Sequence, residues 1–222
     1  MGHRRRSEAV SRREAAEMDE GGFVSTAIRS YLSDVAGLLE TVPIDAVARV
    51  IDRLEEARCE EQAVFTCGNG GSAATAIHFA SDLAKGAAVV GKPAFKAMSL
   101  CENVSLVTAW ANDVSYEDVF ARRMAPWLKP GDVLVAISCS GNSRNVLNAI
   151  HRAKAGGATT VGFTAFDGGK MRELVDICVT VRSSVMEQIE DIHLLLCHLI
   201  TTALRNLPPT PPADTRSRVE WS

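Results

Sequence analysis

The stretch Val133-Leu134-Val135-Ala136-Ile137, followed by Ser138-Cys139-Ser140-Gly141-Asn142-Ser143, decides how this chain folds. Five consecutive apolar residues are typical of a strand that is buried on both faces, and the small polar residues after them predict a turn. Apolar residues at helical spacing then predict a helix over Asn145–Ala155. A buried strand, a turn of small residues and a helix together indicate an α/β fold with a parallel sheet.

A second unit of the same kind lies earlier in the chain. Its predicted strand is Ala63–Thr66, its turn is Cys67-Gly68-Asn69-Gly70-Gly71-Ser72, and its predicted helix is Ala73–Lys85. Glycine lets a ligand approach the backbone closely, and serine hydroxyls and free amides at a helix start donate hydrogen bonds to anions. Neither turn has the glycine spacing of a dinucleotide loop or the lysine of a nucleotide loop. One such turn alone would be typical of an ordinary connection, but the two together predict a site for a small phosphorylated ligand.

The rest of the chain continues the alternation of short apolar runs and helical segments. Further strands are predicted at 95–100, 159–164 and 177–181, and further helices at 23–40, 44–57, 104–111, 116–127, 171–174 and 186–206. This alternation predicts a parallel sheet that is covered by helices on both faces. Ligands of such sheets bind at the carboxyl ends of the strands, which is where both turns lie.

Length and composition favour one globular domain between two polar ends. The chain has 222 residues, of which 46% are hydrophobic and 23% charged, and this is enough to bury a sizeable core. We predict a disordered arm over 1–21, a single domain over 22–206 and a disordered, proline-rich tail over 207–222. The triplet Arg4-Arg5-Arg6 is interpreted as part of the solvated arm, in preference to an address signal or an anion-binding patch.

Charge and cysteine usage argue against several classes of partner. A net charge of −3 offers no electrostatic attraction for nucleic acid or a membrane surface. No apolar run approaches the roughly 20 residues that span a bilayer, and no apolar segment follows the arginine triplet as it would in a secretory signal. The six cysteines are scattered without a CxxC pair, which is typical of reduced thiols in the cytosol. We therefore predict a cytoplasmic protein that binds neither nucleic acid nor membrane.

Several motifs together resemble the sugar isomerase (SIS) domain family, and most closely its isomerases of seven-carbon sugar phosphates. The motifs are Gly68-Asn69-Gly70-Gly71-Ser72, His78-Phe79-Ala80, Ala111-Asn112-Asp113, Tyr116–Phe120, Ile137–Ser143, Phe166–Met171 and Ile189–His198. The resemblance covers roughly residues 25–205. It implies a three-layer α/β sandwich with a five-stranded parallel sheet, a homotetramer, and active sites shared between neighbouring subunits.

The resemblance also implies which residues hold the substrate. The family's phosphate contacts fall on Ser138, Ser140 and Ser143, within a loop that includes Cys139. Contacts to the rest of the substrate fall on Asn69, Gly70, Gly71, Ser72, Asn112 and Asp113. Cys139 stands where the family usually has threonine, so a stronger hydrogen-bonding group is lost while the backbone donors remain.

The family's catalytic and zinc-binding positions fall on His78, Asp82, Glu190 and His198. Asp82 and Glu190 depart from the family pattern, which has glutamate and glutamine there. The resemblance implies that all four residues hold zinc, that Asp82 is the base with Glu190 assisting or replacing it, and that His198 is the acid/base partner. It implies an aldose–ketose isomerase that converts sedoheptulose 7-phosphate to D-glycero-D-manno-heptose 7-phosphate through an enediol.

Spacing tests two parts of this assignment. His78 and Asp82 are four residues apart on a predicted helix and project on one face, so they suit zinc or a hydrogen-bonded pair without metal. Aspartate is shorter than glutamate by roughly 1.5 Å, so the helix must lie closer to the substrate or Glu190 must share the role.

Glu190 and His198 are eight residues apart, which means about 12 Å of rise and roughly 80° of rotation on a straight helix. If Glu190 and His198 bound the same ion from a single straight helix, the geometry would be strained. Two separate roles for these residues, or a site assembled at an interface between subunits, would avoid that strain. The negative charge of Glu190 would strengthen zinc binding and weaken its Lewis acidity, and without metal the carboxylates suit acid–base work. His193 is interpreted as a structural histidine in a local polar pair.

Two alternative functions follow from the same motifs. One is a SIS-domain protein that binds a phosphosugar or regulates other proteins without turnover, and the other is an isomerase of a related sugar phosphate in secondary metabolism. The presence of His78 and His198 together with two carboxylates favours an enzyme. The long apolar face of the terminal helix predicts packing against a second copy, which favours a dimer of dimers.

Overall fold

The structure of the protein is a computed structural model that describes residues 22–208. The predicted arm, and the predicted tail beyond residue 208, lie outside the described residues. The chain divides into two compact units, the first ending at Thr41 and the second beginning at Val42. Within residues 22–208 no helix is long and apolar enough to cross a membrane.

The first unit contains helix α1, which spans residues 22–39. Its apolar side chains include Phe23, Ile28 and Leu32, all of which are exposed. A turn closes the helix where the Thr41 hydroxyl donates a hydrogen bond of 2.8 Å to the carbonyl of Leu38. The predicted helix over 23–40 is therefore confirmed to within one residue at each end.

The second unit contains the sheet and the remaining helices. The helices are α2 (Ile44–Cys59), α3 (Gly71–Ser81), α4 (Val104–Asp113), α5 (Val119–Met124), α6 (Arg144–Ala155), α7 (Met171–Leu174) and α8 (Met186–Asn206). The strands are β1 (Ala63–Cys67), β2 (Lys96–Ser99), β3 (Val133–Ile137), β4 (Thr159–Ala165) and β5 (Ile177–Val181). They form a five-stranded, all-parallel sheet in the order β2-β1-β3-β4-β5. The predicted fold class is confirmed.

The central strand explains why the two Ser/Gly turns meet. Every residue of β3 is buried, as its unbroken apolar run predicts for a strand with helices on both faces. β1 pairs with β3 in a register that sets Cys67 beside Ala136. The turns that follow these strands therefore emerge side by side at the carboxyl edge of the sheet.

Two predicted helices differ from the structure, and each difference has a local cause. The segment predicted as a helix over 116–127 is a 3₁₀ turn, Tyr116–Asp118, followed by the short α5, because Pro126 has no amide hydrogen to extend the helix. The helix predicted to run to Lys85 changes at Asp82 into a π-helical turn, Asp82–Gly86, in which the Ala87 amide donates to the Asp82 carbonyl at 2.8 Å. Single π-turns of this kind are frequent at functional sites.

His193 belongs to the core. It is 1% exposed, lies against Phe163, and contacts the Thr164 carbonyl through Nε2 at 3.2 Å. A carbonyl only accepts hydrogen bonds, so Nε2 carries the proton and Nδ1 is left without a partner in the described chain. Burial lowers the pKa of His193 to about 4. The interpretation of His193 as a structural residue is supported, but its partner is a backbone carbonyl of β4 and not a neighbour on its own helix.

Acid is expected to destabilise the protein through His193. The unfolded chain binds a proton at this residue below about pH 6.5, while the folded chain excludes it down to about pH 4. The free energy of unfolding should fall through this window as pH falls, by up to about 3 kcal/mol. Denaturant unfolding of wild type and His193→Gln, which keeps a donor for Thr164, should show a flatter pH profile for the variant. The same change at exposed His151 should leave the profile as it is in wild type, and equal slopes for wild type and His193→Gln would contradict this role.

Candidate active site

A cavity of about 180 Å³ lies between the two Ser/Gly turns. Its lining residues are Asn69, Ser72, Ile137, Ser138, Cys139, Ser140, Ser143, Met186 and Glu190. We call it the serine pocket. Six of the predicted substrate contacts, together with Glu190, line this one space.

One side of the serine pocket brings together groups that can donate hydrogen bonds to an anion. The Ser138 and Ser143 hydroxyl oxygens are 3.3 Å apart, and Ser143 precedes the first residue of α6 without capping it through its side chain. The start of this twelve-residue helix therefore presents its amides and the positive end of its dipole near the three serines. Gly141 has a φ of +61°, and a Cβ there would overlap the carbonyl oxygen of Gly168, so the turn requires glycine.

Cys139 adds no charge to this pocket. Its sulfur lies 3.8 Å from the Ser72 hydroxyl. Burial raises the pKa of the Cys139 thiol; the contact with Ser72 opposes this rise, and the nearby negative charge of Glu190 adds to it. The thiol therefore stays neutral at physiological pH and does not repel an incoming phosphate.

The side chain of Glu190, from α8, lies against the first residue of α3, beside the serine pocket. Its carboxylate packs so closely on Gly71 that a Cβ at position 71 would overlap it. Glycine at position 71 thus makes room for the Glu190 side chain, and the carboxylate forms one wall of the pocket.

A second cluster of polar groups lies further along α3. His78 Nε2 is 2.8 Å from His198 Nε2 and 3.2 Å from Asp82 Oδ2, and His198 Nε2 is 3.8 Å from Asp82 Oδ2. His78 and Asp82 lie one turn apart at the end of α3, and α8 packs beside α3 and supplies His198. The two histidines are about half exposed, so the cluster is open to a ligand.

The three ligand atoms of this cluster fit a zinc ion. They lie within 4.8 Å of one another. Ligands at the usual zinc distances of about 2.0–2.1 Å stand about 3.3–3.4 Å apart around a tetrahedron, and the three separations, 2.8, 3.2 and 3.8 Å, bracket that value. Three protein ligands with a fourth position open is the arrangement of catalytic zinc sites.

Within one chain Glu190 is not part of this cluster, so its place among the zinc ligands stays a prediction that requires a contribution from a neighbouring copy. Within residues 22–208, the group close enough to share an ion consists of His78, Asp82 and His198. The reason is the eight-residue separation on α8, which carries Glu190 about 12 Å along the helix from His198. The structure instead places Glu190 against Gly71 and the serine pocket.

Asn112 and Asp113 lie outside the lining of the serine pocket of their own chain. Both are exposed at the end of α4, where the Asn112 amide donates to Asp113 Oδ1 at 2.8 Å. Gly70, with a φ of +55°, precedes the first residue of α3 beside the pocket. Their predicted contacts with substrate stay predictions.

Two residues near the pocket received no role from the sequence. The Tyr116 hydroxyl donates to Asn69 Oδ1 at 2.8 Å, and the side-chain amide of Asn145 pairs with that of Asn69. Tyr116 belongs to a motif quoted above for the family resemblance, but nothing in the spacing indicated a contact across 47 residues. Asn145 looked like an ordinary first-turn residue of α6.

Comparison with known proteins shows which family the chain resembles. A family model described as "SIS domain" matches residues 30–165. A phosphoheptose isomerase of Rhodospirillum rubrum is 43% identical over 145 residues, which cover 64% of this chain and 77% of that protein. A probable phosphoheptose isomerase of Thermoplasma acidophilum is 37% identical over 172 residues, covering 78% and 94% of the two chains.

A solved structure agrees as well. The phosphoheptose isomerase of Neisseria gonorrhoeae superimposes with a TM-score of 0.76 at 26% identity, covering 83% of this chain and all of that one. Sequence and fold thus point to the same group of proteins. The chain belongs to the SIS domain family and, within it, to the phosphoheptose isomerases.

Proposed function

We propose that this enzyme interconverts sedoheptulose 7-phosphate and D-glycero-D-manno-heptose 7-phosphate by aldose–ketose isomerisation. The observation that carries the proposal is the pairing of Asp82 with His198 at 3.8 Å in a chain that also forms the serine pocket. The relatives named phosphoheptose isomerase support the choice of substrate.

The distance between the two sites suits a seven-carbon chain. Gly71 lies beside the serine pocket and His78 in the cluster, and seven residues of helix separate them by about 10.5 Å. An extended heptose 7-phosphate has eight bonds between phosphorus and C1, which span about 10 Å. A phosphate held by the serines would therefore bring C1 and C2 to Asp82 and His198. A pentose phosphate is about 2.4 Å shorter and would fall short of the cluster.

The chemistry assigned to the cluster is a proton transfer between C1 and C2. Asp82 takes a proton from C1 of the ketose while His198 gives a proton to the oxygen on C2, and an enediol results. Delivery of a proton to C2 and removal of the proton on the C1 oxygen then complete the aldose. If His78, Asp82 and His198 held zinc, the ion would polarise the carbonyl oxygen of the substrate in place of the proton from His198, whose Nε2 would then be a ligand.

Glu190 has a separate role in this proposal. Its carboxylate lines the serine pocket, where it would accept hydrogen bonds from hydroxyl groups of the sugar chain. Asn112 and Asp113, which do not line the pocket of their own chain, contribute at an active site shared between copies. The working form is accordingly a homotetramer, and the protein acts in the cytoplasm with zinc as its cofactor.

Turnover of sedoheptulose 7-phosphate by the purified protein tests this function. Formation of the aldose supports the proposal, and its absence with zinc supplied would contradict it. A five-carbon ketose phosphate is the matched comparison, because it keeps the phosphate and the reacting carbons but not the length. Since a misplacement of 1 Å costs about 100-fold, kcat/KM for the pentose should be at least 100-fold lower.

Ser140→Ala is expected to raise KM for sedoheptulose 7-phosphate by about 10- to 100-fold with little change in kcat. The change removes a hydroxyl that lines the pocket, and a hydrogen bond to a charged phosphate contributes about 1.5–3 kcal/mol. Because that bond is the same in the ground state and the transition state, its loss appears in KM. Ser105→Ala, on an exposed helix outside the pocket, is the control. An unchanged KM for Ser140→Ala would remove this residue from phosphate binding.

A further inference from the structure

Asn69 connects the serine pocket to a hydrogen-bond network behind it. Its amide nitrogen donates to Asn145 Oδ1 at 2.8 Å, and the Asn145 amide nitrogen donates back to Asn69 Oδ1 at 2.8 Å. The Tyr116 hydroxyl donates to the same Asn69 Oδ1, also at 2.8 Å. Two residues from two other segments therefore converge on one side-chain amide that lines the pocket.

These bonds determine which end of the Asn69 amide a ligand can use. The side-chain oxygen already accepts two hydrogen bonds, which is the number of its lone pairs. The side-chain nitrogen has two hydrogens, and one of them is donated to Asn145. Among residues 22–208 no partner takes the other hydrogen. What Asn69 offers the pocket is an N–H donor.

Both partners of Asn69 are themselves held in place. Asn145 is 3% exposed, and its Oδ1 also accepts from the Val146 amide at 3.0 Å, so its own amide cannot turn over without losing that bond. Two side chains of α6 bind the turn that carries Tyr116. Arg144 pairs with Glu117 at 2.8 Å, and the Asn148 amide donates to the Glu117 carbonyl at 3.0 Å.

We propose that Asn145 and Tyr116 are positioning residues, which hold the Asn69 amide with its N–H directed at an oxygen acceptor of the bound sugar phosphate. If the amide turned over, it would present a carbonyl oxygen in a pocket that already contains the Glu190 carboxylate, and both would repel a phosphate. The network thus makes Asn69 a hydrogen-bond donor, and not an acceptor, toward the pocket. This role of Asn145 and Tyr116 depends on the proposed function only in that sedoheptulose 7-phosphate is the substrate of the kinetic test.

A double-mutant cycle between Tyr116→Phe and Asn69→Ala tests the proposal. Tyr116→Phe removes one hydroxyl and should raise KM for sedoheptulose 7-phosphate about fivefold, with kcat changed less than twofold. In the Asn69→Ala background the same change should have no further effect on KM, because Tyr116 acts only through Asn69. A structural role of Tyr116 would give the same penalty in both backgrounds, and that additivity would overturn the proposal, as would an unchanged KM in the single variant.

Ser105→Ala is the control, since it removes a hydroxyl from an exposed helix outside the serine pocket. It should change KM less than twofold in both the wild-type and the Asn69→Ala backgrounds, and a coupling as large as that of Tyr116→Phe would overturn the proposal. The dissociation constant for inorganic phosphate, measured by calorimetry through the same cycle, separates this proposal from the proposed function. If wild type fails to turn over the heptose phosphate, the proposed function fails. Coupled phosphate affinities would then still support the positioning role, and additive ones would reject it.

Discussion

His198→Ala is expected to lower kcat for heptose phosphate isomerisation by about 10³-fold or more. Its Nε2 lies 2.8 Å from His78 and 3.8 Å from Asp82, so the change removes one of the two groups assigned to move protons. General acid–base groups typically contribute 10²- to 10⁴-fold. Since the side chain is about half exposed and packs little, thermal unfolding should stay near wild type. Steady-state kinetics and circular dichroism of the purified variant measure the two effects.

The control for this variant is His151→Ala, which removes an exposed histidine of α6 outside the site. Its kcat should stay within twofold of wild type. Retention of more than a tenth of wild-type kcat by a well-folded His198→Ala protein would refute the catalytic assignment. If KM rises while kcat holds, His198 binds substrate and does not move its protons.

Zinc is expected to raise the melting temperature of the wild type by about 8–16 °C when present at 1,000 times its dissociation constant. Binding to the folded state alone adds about 4 kcal/mol under these conditions, and in a domain of this size each kcal/mol shifts the melting temperature by about 2–4 °C. His78→Ala should abolish the shift, because it removes one of the three ligand atoms that the structure brings together. Scanning calorimetry with and without zinc measures this effect independently of activity.

Glu190→Gln is the matched control for zinc binding, since Glu190 lies with the serine pocket. The variant should keep the zinc-dependent shift in full. Loss of the shift in Glu190→Gln would return this residue to the metal site, through a neighbouring copy. An undiminished shift in His78→Ala would show that zinc binds elsewhere on the protein.

Much of the fold could be predicted because the spacing of apolar residues along the chain matches the strands and helices that form. The run Val133–Ile137 has no polar residue, so it fits only where both faces of a strand are covered, and the structure buries all five residues. The terminal helix Met186–Asn206 was predicted with its observed bounds, because its apolar spacing persists until Pro208 approaches. The pairing of the two Ser/Gly turns followed from parallel strands, whose carboxyl ends share one edge.

Hydrogen bonds between segments that are far apart in the chain could not be predicted from sequence patterns. The bond between Tyr116 and Asn69 joins residues 47 positions apart, and the reciprocal amide pair of Asn69 and Asn145 joins residues 76 apart. No periodicity encodes such contacts, since each depends on how a turn is tied to a neighbouring helix. The π-turn at Asp82 was missed for a similar reason, because its sequence is compatible with an ordinary helix.

The amino-acid sequence by itself determined the class of site: two small-residue turns for a phosphate, and His78, Asp82 and His198 as polar groups of the right kind for proton transfer or zinc. Only the tertiary structure decided how these groups are divided. It brings His198 to His78 and Asp82, and it leaves Glu190 at the serine pocket. The physical reason is the rise of the α-helix, because two side chains eight residues apart on α8 lie about 12 Å from each other along the axis.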